Sequence, residues 1–301
     1  MNRKISLIND LKRNNRYAYM NSIPIISSFG DRAFIGYNDG VQYDAFITGL
    51  ISDSDRILEV REYIADAKLD KQSVLTMVDP VFADNGIKYE GITDSHIKNY
   101  KKLLEISDIM TPNLTEACML ADVSYDNYRE KYCTIKYEGG DKDKTNELSK
   151  KIIESIFPLL EKIRMKKNQI TIITGIELYN SVLTILDVYD GDHGKRQTTC
   201  NYSEKIEERY GAGEIFNTMF FETSTNGFTL VDALSASTSF INNSLRFSRD
   251  NKLDINDGIV FEPILHDNIS VMKQRLADIK NNIQNKTTNN QNNNLNSNKG
   301  E

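Results

Sequence analysis

The chain has 301 residues, 39% of them hydrophobic and 27% charged, so it can bury the core of one large α/β domain or two small ones and is not globally disordered. Its 37 Lys and Arg residues against 43 Asp and Glu residues give a net charge of −6, which argues against a mainly electrostatic grip on nucleic acid or membrane. Three scattered cysteines and three scattered histidines argue against a zinc site. The apolar runs are too short for a transmembrane helix or a signal peptide, so we expect a cytoplasmic protein.

Short apolar segments alternate with amphipathic ones along most of the chain. The first run predicts strands at Lys4–Ile8, Tyr43–Thr48, Val74–Val78 and Ile109–Thr111, and helices at Arg16–Phe29, Ser52–Lys68, Ser95–Glu105 and Leu114–Ala121. The second run predicts a helix at Glu147–Arg164, a strand at Ile170–Thr174, an antiparallel strand at Val182–Val188, and helices at Glu214–Thr225 and Leu230–Leu245. Pro24 and Pro158 fall inside predicted helices, where we expect a kink or a late start.

This alternation predicts a mainly parallel central sheet with helices on both faces, within one domain over residues 1–280. In such sheets ligands bind at the carboxyl ends of the strands, which selects the loops at Asn9, Asp79, Thr111 and Thr174. Residues 281–301 contain ten asparagines and almost no apolar residues, so we expect a disordered tail there.

The loop after the third predicted strand carries two carboxylates. It reads VDPVFADNG over residues 78–86, with Asp79 and Asp84 five residues apart. Such a pair suits Mg²⁺ and nucleotide phosphates, because Mg²⁺ prefers carboxylate and water oxygens. An ordinary Asp-Pro turn with solvated acids explains the same residues.

The segment TPNLTEA, residues 111–117, lies at a strand-to-helix junction. Asn113 is a good N-cap and Glu116 follows three residues later, as in a capping box. That arrangement alone explains both residues. The functional alternative makes Glu116 an outer ligand of a metal.

Two glycines, Gly211 and Gly213, precede a predicted helix in the segment GAGE. Glycines at a helix N-terminus let backbone N–H groups approach an anion, although a flexible turn is an equal explanation and the pattern alone is weak. The phosphate-binding pattern GxxxxGK[ST] does not occur in the chain.

The ordered set of these motifs resembles the ribokinase-like superfamily, and within it the pyridoxal/pyridoxamine kinases of vitamin B6 salvage. The set comprises NDL at residues 9–11, ITG at 47–49 and 173–175, VDPVFADNG, TPNLTEA and GAGE, and the resemblance covers residues 4–245. It implies a single ribokinase-like α/β domain that usually dimerises. It also implies transfer of the γ-phosphate of ATP, with Mg²⁺, to the 5′-hydroxyl of pyridoxal, pyridoxine or pyridoxamine.

The resemblance also implies roles for individual residues. Asn9 would contact the substrate, and Glu214 would be the catalytic base. The backbone at Gly211, Ala212 and Gly213 would form an anion hole. The nucleotide side would comprise Asp79, Asp84, Thr111, Asn113, Glu116 and Thr174, with Glu116 and Asp84 on the metal.

Two departures from the family pattern stand out. The base is Asp in the family and Glu214 here. The family's longer segment, with a strand, a substrate lid and a helix, is shortened to residues 31–42, which can hold one short extended piece at Ala33–Ile35. We therefore expect an acceptor pocket open to solvent beside an intact nucleotide site. A hydroxymethylpyrimidine or sugar kinase, or a nucleotide-binding relative without catalysis, remain the alternatives.

Overall fold

An eight-stranded sheet organises the fold in a computed structural model that describes residues 2–10, 18–207 and 209–278. The strands are β1 (Lys4–Ile8), β2 (Arg32–Ile35), β3 (Ala45–Thr48), β4 (Leu75–Val78), β5 (Ala83–Asp84), β6 (Ile87–Lys88), β7 (Ile109–Met110), β8 (Ile170–Glu177), β9 (Ser181–Asp190) and β10 (Lys195–Glu204). Their order across the large sheet is β10-β9-β8-β7-β4-β3-β1-β2, while β5 and β6 form a separate hairpin. The six strands from β8 to β2 are parallel, and β9 and β10 add an antiparallel edge.

Helices cover both faces of this sheet. They are α1 (Ala18–Phe29), α2 (Ser54–Asp70), α3 (Asp94–Leu104), α4 (Leu114–Leu120), α5 (Tyr125–Tyr132), α6 (Lys142–Ile163), α7 (Ala212–Thr225) and α8 (Leu230–Asp250), followed by a short 3₁₀ turn at Ile255–Asp257 and a last helical stretch, α9, over 262–278. Within the described ranges, no helix has both the length and the apolar composition needed to span a membrane.

The core is divided by the sheet into two apolar layers. Alternate residues of a strand point to opposite faces, so Phe46 of β3 packs into one layer and Ile47 into the other. The first layer is closed mainly by α2, α3, α4 and α6, and the second by α1, α7 and α8. Parallel strands buried on both faces read as continuous apolar runs, which is the pattern that predicted them.

The predicted fold class is therefore confirmed, with local differences. Pro24 lies inside α1 and Pro158 inside α6, and both helices continue past their proline. The shortened segment contains only the four-residue strand β2, which pairs with β1 at the sheet edge. Elements absent from the prediction are the hairpin β5–β6, helix α5, strand β10 and α9. The predicted start of the first helix at Arg16 and the asparagine-rich tail lie outside the described residues.

Candidate active site

Five neighbouring parallel strands, β1, β3, β4, β7 and β8, end at the same edge of the sheet. Backbone hydrogen bonds continue past the strand ends and fix the loops that follow. Asp79 N donates to Thr48 O at 3.0 Å, Thr111 N to Val78 O at 3.1 Å, and Thr174 N to Pro112 O at 3.0 Å. The sheet thus brings together the loops of Asn9, Asp79, Thr111 and Thr174, as parallel strands require.

The N-terminus of α7 reaches this edge and completes a narrow cleft. Its lining comprises Asn9, Ser22, Ile47, Thr48, Gly49, Asp79, Glu214, Asn217 and Thr218. Gly213 lies against the Asp79 carboxyl, since a Cβ added to that glycine would be 3.8 Å from Asp79 Oδ2. The cleft has room for about one water molecule. The structure therefore places the predicted base, Glu214, opposite one of the predicted nucleotide-site acids, Asp79.

The two carboxyl groups perturb each other. Asp79 is buried, and burial raises its pKa well above the usual range. The neighbouring Glu214 carboxyl raises that pKa further, while the polar side chains of Thr111 and Asn217 partly counteract the shift. Burial also raises the pKa of Glu214. A carboxylate with a raised pKa is a better proton acceptor at neutral pH, as a general base requires.

The first turn of α7 is suited to an anion. Gly211 is the N-cap, with a φ of 97° that favours glycine, and no side chain caps the helix. The first N–H groups of a helix have no partner inside the helix and carry the positive end of its dipole. The segment proposed as an anion hole, Gly211 to Gly213, is thus adjacent to both acids of the cleft.

Asn9 occupies its position because Gly49 has no side chain. A Cβ on Gly49 would lie 2.0 Å from Asn9 Oδ1, so the asparagine passes directly over the glycine. The backbone of Asn9 is held by Tyr19, whose hydroxyl donates to Asn9 O and accepts from Asn9 N. Asn9 and Thr48 are themselves buried. The expectation of an acceptor pocket open to solvent stays a prediction, because residues 11–17, which follow Asn9 along the chain, lie outside the described residues.

Glu116 does not line the cleft, but burial and then the nearby Asp79 carboxyl raise its pKa well above the usual range, and both of its oxygens accept from the backbone. Its Oε1 accepts from Phe82 N at 3.0 Å and weakly from Ala83 N at 3.5 Å, and its Oε2 accepts from Asn113 N at 2.8 Å. Asn113 Oδ1 in turn accepts from Glu116 N at 2.9 Å, which completes the capping box. Glu116 therefore ties the loop after β4 to the start of α4.

Asp84 and Thr174 are not among the residues that line the cleft. Asp84 is half-buried on β5 and accepts from Asn85 N at 2.8 Å. Burial and the Glu177 carboxyl raise the pKa of Asp84. Thr174 forms an isolated parallel bridge with Asn113. Among the described residues, no three His, Cys, Asp or Glu side chains come together as a metal-ion site.

Three residues beside the predicted acids were not predicted as site residues. Asn217 and Thr48 line the cleft, and Tyr89 lies close enough to Glu116, Asp84, Asp79 and Glu214 for these carboxylates, together with burial, to raise its pKa. Asn217 follows Glu214 by three residues, a helical spacing that the sequence displays. Thr48 ends a predicted strand, whereas the position of Tyr89 depends on the hairpin β5–β6, which the sequence pattern does not reveal.

Comparison with known proteins agrees with the fold and with the family that the motifs resemble. A family model described as phosphomethylpyrimidine kinase matches residues 6–136. A Schizosaccharomyces pombe protein, provisionally named a pyridoxal kinase, is 25% identical over 182 residues, which are 60% of this chain and 46% of that protein. The chain thus matches about half the length of this curated relative.

Two solved structures share the fold over nearly their whole length. One is a provisionally named phosphomethylpyrimidine kinase from Bacteroides thetaiotaomicron, solved with pyridoxal, at 23% identity and a TM-score of 0.68 over 89% of this chain and 96% of that one. The other is the pyridoxal kinase of Leishmania donovani with ADP and pyridoxamine, at 14% identity and a TM-score of 0.68 over the same shares of each chain. These matches agree with the resemblance inferred from the motifs: the chain is similar to the phosphomethylpyrimidine kinase family over residues 6–136, and it shares the fold of solved pyridoxal kinases.

Proposed function

We propose that the chain is an ATP-dependent kinase that phosphorylates the hydroxymethyl group of a B6 vitamer, at the 5′-hydroxyl of pyridoxal, pyridoxine or pyridoxamine. The observation that carries the proposal is the position of Glu214. It lies in the first turn of α7 beside backbone N–H groups that no side chain caps, and it lines the cleft together with Asp79. This position supports a role for Glu214 as proton acceptor beside a helix end that would bind an anion.

The chain's own groups supply most of what phosphoryl transfer needs. Glu214, whose pKa is raised by burial, would take the proton of the attacking hydroxyl. The N–H groups of residues 211–214 would stabilise negative charge on the transferred phosphoryl group. Asn9, held over Gly49, would orient the acceptor alcohol.

A magnesium ion bound together with ATP would neutralise phosphate charge. Such an ion needs only one or two protein carboxylates, because phosphate and water oxygens complete its shell. Asp84 fits this requirement, since it is half-buried and its carboxylate accepts hydrogen bonds only from the adjacent Asn85 among the described residues. Glu116 fits as a nearby charge, because its oxygens already accept backbone N–H groups. ATP contacts by Asp79, Thr111, Asn113 and Thr174, a homodimer and a cytoplasmic location stay predictions from the resemblance.

A hydroxymethylpyrimidine kinase is the second candidate. The family model over residues 6–136 supports it, because its description names a phosphomethylpyrimidine kinase. The two alcohols share a hydroxymethyl group on a small heteroaromatic ring, so the same base and anion site serve both.

The test is phosphate transfer from Mg·ATP to pyridoxal, pyridoxine, pyridoxamine, hydroxymethylpyrimidine and ribose in parallel. We expect a phosphorylated vitamer or pyrimidine, and loss of the product in Glu214→Gln. Binding of Mg·ATP without transfer to any of these alcohols would instead identify a nucleotide-binding relative without catalysis.

A further inference from the structure

The buried part of the cleft contains polar atoms that have no partner among the described residues. Asn217 Oδ1 and Thr48 Oγ1 have no hydrogen-bond partner within the described ranges, although Asn217 is 3% exposed and Thr48 is 1% exposed. Native proteins pair nearly all buried polar groups, so an unpaired one calls for an explanation. Two of them lining one cleft indicate a partner that the described residues do not supply.

The cleft is graded in burial from its mouth inward. Gly213 is exposed and Glu214 is half-buried, whereas Asn217 and Thr48 are buried. The remaining space, about one water molecule, matches a hydroxyl or amino group and is too small for a ring. A ring-bearing alcohol would therefore keep its ring towards the mouth and insert one small polar substituent.

The spacing on α7 relates this substituent to the reacting hydroxyl. Asn217 and Glu214 are three residues apart on the helix, so their Cβ atoms are about 5–6 Å apart on the same face. Side chains whose Cβ atoms have that separation can converge on two polar groups carried by adjacent ring carbons of an aromatic alcohol. One can meet Glu214 while its neighbour meets Asn217 and Thr48, whose amide and hydroxyl each donate and accept hydrogen bonds.

From these observations we infer that Asn217 and Thr48 form a specificity subsite for a second hydrogen-bonding group on the ring carbon next to the phosphorylated hydroxymethyl group. The inference deepens the proposed function and rests on it for the identity of the reacting hydroxyl. It assigns the substrate class as a heteroaromatic alcohol with a hydrogen-bonding substituent beside its hydroxymethyl group, such as a second hydroxymethyl, a formyl, an aminomethyl or an amino group. Asn9 and Ser22, which also line the cleft, are left for other parts of the ligand.

A pair of ligands isolates this group. Pyridoxine and 4-deoxypyridoxine differ only in a hydroxymethyl against a methyl group next to the 5-hydroxymethyl group. Binding of each is measured by calorimetry with a non-hydrolysable ATP analogue present. We expect pyridoxine to bind at least about tenfold more tightly than 4-deoxypyridoxine, because the methyl group of 4-deoxypyridoxine leaves the buried polar atoms of the cleft unpaired.

Two nearly isosteric variants remove the subsite. Asn217→Leu and Thr48→Val should each bring the binding ratio towards one by weakening pyridoxine and leaving 4-deoxypyridoxine nearly unchanged. Asn243→Leu, the same exchange at an exposed position of α8, should keep the wild-type ratio. Melting temperatures identify a variant that fails to fold, and the wild-type ratio then decides the question alone.

The outcomes separate the subsite from the proposed function. A wild-type ratio near one, absence of binding by both alcohols, or a ratio that survives in both folded variants overturns the subsite. Phosphorylation of both alcohols with equal efficiency does the same while the kinase function stands. Selective binding lost in the variants, without any phosphate transfer, supports the subsite and refutes the kinase function.

Discussion

Replacing Glu116 with Ala tests whether this carboxylate stabilises the loop after β4 or acts in catalysis. In the structure it accepts from Phe82 N and Asn113 N at 3.0 and 2.8 Å, with a weaker contact to Ala83 N. Leaving a buried N–H unpaired costs about 1–3 kcal/mol, so the two strong bonds together amount to about 2–6 kcal/mol. An ordinary exposed helix cap contributes about 1 kcal/mol.

We therefore expect Glu116→Ala to lower the melting temperature by on the order of 10 °C. The matched control is Asp53→Ala, because Asp53 caps α2 with one exposed hydrogen bond to Asp55 N. Its loss should shift the midpoint by only a few degrees, on the order of 3 °C. Thermal unfolding followed by circular dichroism gives both values.

The decisive comparison pairs stability with Mg·ATP affinity. The structural role predicts that Glu116→Ala melts early and that, well below its melting point, calorimetry still finds near-normal Mg·ATP binding. A variant that melts with the wild type and no longer binds Mg·ATP would refute the reasoning from the backbone contacts. It would make Glu116 a metal-site residue instead.

Three further predictions concern other residues of the structure. Burial raises the pKa of the Glu222 carboxyl from 4.5 to about 8 in the folded protein, despite the opposing effect of Arg3. Between these two pH values, Glu222 is protonated in the folded state and ionised in the unfolded state. The free energy of unfolding should therefore fall by up to about 1.4 kcal/mol per pH unit as the pH rises between these two values. Denaturant titrations at several pH values should show a smaller pH dependence of this free energy in Glu222→Gln than in the wild type. The same pH dependence in both proteins would contradict the assignment. Gly49→Ala should displace the side chain of Asn9 and raise the KM for the alcohol, with little change in the KM for ATP. Adding Asn9→Ala to this variant should restore the stability that Gly49→Ala alone loses. Additive effects of the two substitutions on stability would show that the side chains do not clash. Glu is one methylene longer than the Asp of the family pattern, so Glu214→Asp should raise kcat and Glu214→Gln should abolish phosphate transfer. Wild-type activity should fall as the pH is lowered, because acid protonates the Glu214 carboxyl, whose pKa burial raises. Unchanged phosphate transfer in Glu214→Gln would remove Glu214 from the mechanism.

The parallel part of the sheet was predictable because its strands are buried on both faces and therefore consist of continuous apolar runs. Ile170–Thr174 is such a run, and it lies within β8. Strand β10, KRQTTCNYSE, was missed because it is polar and pairs only with β9 at an edge, so its backbone pairing and not its side chains defines it. The short extended piece predicted at Ala33–Ile35 is strand β2, Arg32–Ile35.

In the candidate site, too, features set by local spacing were predictable, whereas features set by tertiary packing were not. Spacing alone predicted the capping box of Asn113 and Glu116, because both partners lie within one helical turn. The facing of Asp79 and Glu214 depends on how α7 packs across the sheet, and only the resemblance to a family anticipated that. Asn217 went unnoticed because an asparagine inside a helix usually faces solvent, and its burial arises from tertiary packing.

The order of helices and strands along the chain also affects folding during synthesis on the ribosome. Arg3 pairs with Asp31 and with Glu222, which follows it by 219 residues. Strands β1 to β4 and α1 leave the ribosome early, but α7, which covers the apolar faces of β1 and α1, follows about 200 residues later. At about 5–20 residues per second, the nascent chain exposes Ile5, Leu7 and Ile26 for about 10–40 s before Phe220 and Phe221 arrive to cover them. Nascent chains arrested before residue 212 should therefore recruit chaperones, and chains that extend past residue 225 should release them.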